Sequence, residues 1–172
     1  MISLRLVAFA AYLLSWALVG LGAVWSAFPT RQPAPSHQHL AGMLLQIAGV
    51  LAITAFLPAG PLVPSSFELG AALVLAPSGA LLYLATIAAS RTGGLITRGP
   101  FAVVRHPMYL AFLLLLGATA ALAAAGWRTV AAVALYLAGS ELRLAREESA
   151  LASSAYEAYR RTTRWRYLPG LR

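Results

Sequence analysis

The sequence predicts an all-α polytopic membrane protein, with about five transmembrane helices and a cytosolic C-terminal helical extension. Of 172 residues, 60% are hydrophobic and 10% charged, against about 25% charged in a soluble domain. Mean hydropathy is +0.74. Apolar runs near the length of a span, roughly 20 residues, recur between stretches rich in Pro, Gly and Ser. Disorder is excluded by the same figures, because disordered chains have the opposite composition. Cysteine is absent, which removes disulfides, thiolate metal sites and cysteine nucleophiles.

The first candidate span covers residues 2–28, interrupted only by Arg5. It is too long for the apolar core of a signal peptide, about 7–15 residues. A turn-rich stretch at 29–39 separates it from the second span, 40–57. A second breaker-rich stretch, 58–66, precedes the third span at about 67–89, where Pro77 predicts a kink. The fourth span is 107–125. The fifth begins at Trp127 and stays apolar to Glu141, so this helix is expected to emerge into water and continue as an amphipathic segment. The whole is expected to form a single membrane domain, 1–172. Residues 1–90 would hold three spans, and residues 91–172 a cofactor-binding half with two spans and a tail.

All thirteen basic residues are Arg and all five acids are Glu. Five spans place Arg31, the arginines of the 90–106 loop and those of the C-terminal tail on one face, eleven in all. Only Arg5 and Arg128 stand on the other. Positive charge collects on the cytoplasmic side, so the N-terminus is expected outside and the C-terminus in the cytoplasm. In a bacterium this would be the inner membrane. The net charge of +8 thereby calls for membrane lipids as partners and for no nucleic acid. His37 and His39 have no carboxylate or thiol near them in sequence, so no metal site is expected.

The densest polar and turn-forming stretch is 95–109, between the third and fourth spans. Pro107 disfavours helical geometry at His106 and suits the first helical position. His106 is therefore expected at the cap, where free N–H groups make a helix start receptive to anions. Arg105 adds a guanidinium beside it, and Tyr109 a phenol in the first turn. A second polar group, Glu147-Glu148, follows Glu141, Arg143 and Arg146 on the exit of the fifth helix. Neighbouring helix positions diverge by about 100°, so only one of Glu147 and Glu148 is expected to point squarely into a site. By themselves these residues also suit topology anchors and a solvated helix face.

Taken in order, Gly99-Pro100-Phe101, Val104 to Tyr109, Glu147-Glu148, the Tyr156 to Tyr159 pair and the closing Leu168-Pro169-Gly170 resemble the isoprenylcysteine carboxyl methyltransferase family. Phospholipid N-methyltransferases belong to the same wider group. The resemblance spans 95–170 and implies an integral membrane enzyme that uses S-adenosyl-L-methionine. It implies cofactor contacts from Gly99, Pro100, Arg105, His106, Pro107, Tyr109, Glu147 and Glu148, with His106 and Arg105 the candidate catalytic residues. Substrate contacts would come from Tyr159, Arg160 and Arg161. The acceptor would be a lipophilic or prenylated molecule entering from the bilayer. Two departures stand out: Ala111 replaces the family's usual glycine, and the stretch after Glu148 is shorter and lacks the customary Phe-Gly. A carboxylate acceptor needs no base at neutral pH. An amine or alcohol acceptor would need His106 or a tyrosine to remove a proton. The alternative activities are a small-lipid N-methyltransferase and a non-catalytic scaffold or transporter subunit.

Overall fold

A computed structural model describes residues 3–26, 37–54, 64–91, 94–123 and 126–170. The described residues form helices α1 (Leu4–Ser26), α2 (His37–Thr54), α3 (Ser66–Ser90), α4 (Pro107–Leu122), α5 (Trp127–Ala150) and α6 (Ser154–Thr162), with a single 3₁₀ turn at Gly99–Ala102. There is no strand among them. Two helices, Leu4–Val24 and Ser66–Ser90, are long and apolar enough to cross a membrane, and α4 is a shorter apolar helix. Their outer faces carry large apolar side chains, among them Leu14 and Leu21 on α1 and Val74 and Leu81 on α3. Such a surface suits hydrocarbon and not water.

Three boundaries differ from the sequence reading. Helix α2 starts at His37, inside the stretch expected to be a turn, because polar residues mark where a helix leaves the apolar phase and not where it begins. Helix α4 ends at Leu122, earlier than the apolar run suggests. Helix α3 starts at Ser66, one residue ahead of the candidate span, and Glu68 in its first turn caps it. Its carboxylate accepts from the Ser65 N–H at 2.7 Å, and its own N–H donates to Ser65 Oγ at 3.2 Å, a reciprocal capping box. Helix α5 runs unbroken past its apolar half to Ala150. Arg31 and Arg172, both counted for topology, lie outside the described residues.

The helices pack in two groups. Helix α3 lies between α1 and α4, while α5 pairs mainly with α2 and only lightly with its sequence neighbour α4. Val19, Ala80, Tyr83, Ile87, Ala111 and Leu115 form the core of the first group. Leu116, Ala120, Ala132 and Tyr136 join α4 to α5. Small residues set the closest approaches. A Cβ on Gly139 would collide with the Gly42 carbonyl, and one on Gly49 would stand 2.7 Å from the Ala132 carbonyl. Ala111 is fully buried, and the room it needs comes from α3, where a Cβ on Gly79 would lie 2.8 Å from the Ala111 carbonyl. Close crossings among the described residues are therefore at Gly42–Gly139, Gly49–Ala132 and Gly79–Ala111.

Gly139→Ala should force α2 and α5 apart and cost about 2 kcal/mol, as overpacking does. Gly20→Ala, where nothing lies within 4 Å of the added methyl, should be neutral or stabilising by about 0.5 kcal/mol. Thermal unfolding in detergent compares the two.

Candidate functional site

The site is assembled from the turn before α4, the second half of α5 and the tail after α6. Gly99 adopts φ 61°, a left-handed conformation natural to glycine, and starts the turn that Pro100 closes by accepting from the Val103 and Val104 N–H groups. His106 sits at the N-cap of α4 outside the helical region, with Pro107 in the first helical position, consistent with the pre-proline bias against helical geometry. The tail runs alongside. The Arg105 N–H donates to the Trp165 carbonyl at 2.9 Å, and the His106 N–H to the Arg166 carbonyl at 2.7 Å. Ser153 caps α6 through the Tyr156 N–H, which turns the chain back toward this strap.

Glu148 is the centre of the polar cluster. Its carboxylate accepts from Arg105 Nε at 3.2 Å and Arg166 Nη2 at 3.0 Å, and it lies 3.3 Å from His106 Nε2. Arg105 also donates to the Thr163 and Arg164 carbonyls. Its side chain is 5% exposed, against 13% for Glu148. Arg166 bridges on to Glu141 at 2.5 Å, and Glu141 accepts a hydrogen bond from the Tyr167 hydroxyl at 2.9 Å. Burial works against the charge on Glu148. The hydrogen bonds from His106 and Arg166 and the charges of Arg166 and Arg105 outweigh it, holding the carboxyl well below its ordinary range. Burial, then the Glu141 hydrogen bond and charge, push the Tyr167 hydroxyl up.

Glu147 faces the other edge of His106, 3.6 Å from Nδ1, and accepts from the Tyr109 hydroxyl at 2.6 Å. Both carboxylates thus reach His106, but only Glu147 lines the adjoining cavity, while Glu148 holds Arg105 and Arg166. The imidazole carries nitrogens on opposite edges, and two flexible Glu side chains reach them from either side despite diverging at the helix. Arg143 stands 3.7 Å from Glu147, donates to Gln46 Oε1 at 2.8 Å and lies 5.4 Å from the centre of the Tyr109 ring, within cation–π range. Tyr136 donates to the Tyr109 carbonyl at 2.9 Å.

His106, Tyr109, Arg143 and Glu147 form the polar end of a cavity of about 480 Å³ between the two helix groups, a size suited to a small ligand. Phe101, Pro107, Phe112 and Leu116 continue its wall on one side, Gln46, Ile47 and Leu51 on the other.

The structure therefore gathers Arg105, His106, Pro107, Tyr109, Glu147 and Glu148, but at different depths. His106, Pro107, Tyr109 and Glu147 line the cavity, while Arg105 and Glu148 stand behind them and hold the tail. Gly99 is exposed and Pro100 half-buried at the outer end of their turn. Tyr159 is buried and donates to the Phe101 carbonyl at 2.6 Å. Arg160 and Arg161 are exposed, Arg160 in a surface pair with Glu157. The sequence reading had not singled out Gln46, Arg143, Arg166 or Tyr167 as site residues. Glu141 and Glu148, one heptad apart on α5, were the available sign of a common partner. No metal-binding group of His and acidic residues occurs among the described residues.

Residues 71–153 match the isoprenylcysteine carboxyl methyltransferase (ICMT) family. The matched segment covers just under half of the chain. It contains α4, α5, most of α3, and His106, Tyr109, Glu147 and Glu148; α1, α2 and the tail lie outside it. No curated protein and no solved structure matches the chain.

Glu148→Gln should release the tail, because removing one partner from a buried ion pair costs about 3 kcal/mol. Faster hydrogen exchange at residues 163–167 reads this out, and Arg161→Gln should leave it unchanged. The pH dependence follows from the lowered carboxyl. Its stabilisation is fully present above the ordinary value of 4.5 and is lost as pH falls through the depressed one. Tail protection, corrected for intrinsic exchange, should hold between about pH 7 and about pH 5 and fail only in stronger acid.

Proposed function

We propose that the protein is an integral membrane methyltransferase that moves the methyl group of S-adenosyl-L-methionine to the carboxylate of a prenylated, isoprenylcysteine-like acceptor. The observation that carries this reading is the placement of the family segment's His106, Tyr109 and Glu147 at the polar end of an otherwise apolar cavity. Five spans, an external N-terminus and a cytoplasmic C-terminus complete the proposal. In that arrangement the polar end lies at the cytoplasmic surface, open to a soluble cofactor, and the apolar remainder lies within the bilayer.

The donor set fits the cofactor. Glu147 offers a carboxylate to its cationic groups and Arg143 a guanidinium to its carboxylate, while Phe101, Tyr109 and Phe112 supply aromatic surface for a flat base. When bound, the cofactor supplies an electrophilic methyl group on a sulfonium. The protein's part is to bind, orient and exclude water. Tyr109 fixes Glu147 through its 2.6 Å hydrogen bond. His106 lies between two carboxylates, 3.3 Å from Glu148 and 3.6 Å from Glu147, which fix its ring at the mouth of the cavity. A carboxylate acceptor needs no base, since it has no proton to lose before attack.

Incubation of the purified protein with labelled S-adenosyl-L-methionine and a membrane lipid extract should yield a base-labile methyl ester. Label in a base-stable N-methyl product would replace the carboxylate acceptor by an amine, and no transfer with no binding of S-adenosylhomocysteine would overturn the enzyme reading. Glu147→Gln should weaken S-adenosylhomocysteine binding about tenfold, as loss of a charged hydrogen bond does, with tail protection retained. Calorimetry with hydrogen exchange on the same sample separates this from the effect of Glu148→Gln.

A further inference from the structure

We propose that Trp16 on α1 is the floor of the cavity and sets the longest acceptor tail the protein takes; this rests on the methyltransferase reading above. The lining residues of α4 run from Pro107 to Thr119, which at the helical rise is about 18 Å of depth. All the charged groups of the lining lie at one end of that length. Beyond the polar mouth the lining is mostly apolar over that length, which is long enough for an extended hydrocarbon chain.

Helix α1 meets α4 at the far end. The Tyr12 hydroxyl and Thr119 Oγ1 are hydrogen-bonded at 3.1 Å, tying α1 to α4 at the deepest lining residue of α4. Trp16 packs edge-on to Tyr12, with ring centres 6.4 Å apart, and presents its indole to the cavity. The indole N–H has no hydrogen-bond partner among the described residues, so packing alone holds the ring in place. From the opposite side Ile47 and Leu51 line the cavity while remaining exposed on the outer face of α2. The cavity therefore borders the surface that meets hydrocarbon, and a tail can reach it from within the bilayer. Helices α1 and α2 both lie outside the family segment. The groups around His106 lie within the matched segment, whereas the floor belongs to the part of the chain that the family does not cover.

The test uses the full chain and three probes, the S-geranyl, S-farnesyl and S-geranylgeranyl thioethers of N-acetylcysteine. Binding is measured by calorimetry without cofactor, and methyl transfer with it. Trp16→Ala should raise the preference for the longest tail over the shortest about tenfold, the scale on which a few methylenes are discriminated. Leu51→Trp, at an exposed position that folding tolerates, should shift the preference toward the shortest tail. Unchanged tail preference in both variants overturns the proposal, and if Trp16→Ala does not fold, Leu51→Trp decides it alone. Binding that follows tail length without methyl transfer supports the floor and overturns the enzyme reading, so the two fail separately.

Discussion

The grip on the Glu148 carboxylate is the interaction on which the rest of the site depends. One carboxylate of α5 engages Arg105 from the turn before α4, His106 at the α4 cap and Arg166 from the tail. Each of these side chains is costly to bury without a partner, and together they neutralise one another. Backbone bonds then complete what the charges begin. The two N–H groups that precede Pro107 are taken by tail carbonyls, leaving His106 one orientation, with its ring facing the cavity. Remove the carboxylate, and Arg105 loses its counter-charge, Arg166 is left with Glu141, and the strap that positions His106 loses its anchor.

A second constraint, helix proximity, decides where empty space remains. Gly42 against Gly139 and Gly79 against Ala111 let α2 meet α5 and α3 meet α4 at backbone distance. No such crossing joins the two groups. Their junction runs through larger side chains such as Phe112, Leu116 and Tyr136, and the cavity opens there. Gln46 links the two constraints, because it donates to Ser140 beside Gly139 and accepts from Arg143 at the cavity's polar end. The crossing that closes α2 on α5 thus also places the guanidinium that faces Glu147.

Much of this was legible in the sequence, for identifiable reasons. Apolar run length located the five long helices, and the pre-proline rule placed His106 at a cap without knowledge of any neighbour. The family motif named Tyr109, Glu147 and Glu148. What escaped were relations between segments far apart in the chain. Nothing local distinguishes Arg166 from Arg164, yet one bridges Glu141 and Glu148 and the other is exposed. Gln46 stands within an apolar run, and its partners Ser140 and Arg143 come from α5, far away in sequence. Of the substrate contacts implied by the resemblance, Arg160 and Arg161 are exposed, and the buried residues of α6 are Tyr156 and Tyr159. The different duties of Glu147 and Glu148 also depend on what α4 and the tail bring to each side of α5, which adjacency in sequence conceals.

The exclusive use of arginine as cation has a physical basis in these same contacts. Arg105 donates at once to a carboxylate and to two backbone carbonyls. Arg166 spreads its nitrogens over both oxygens of Glu148 and one of Glu141. A planar guanidinium holds several donors in fixed directions and is weakly hydrated, so it loses less on partial burial than an ammonium would. Lysine would supply the charge for topology and could satisfy one of these acceptors, but its flexible point charge cannot hold three segments in register. Charge is therefore only part of what these arginines supply. At Arg105, Arg143 and Arg166 the geometry of the fork builds the site.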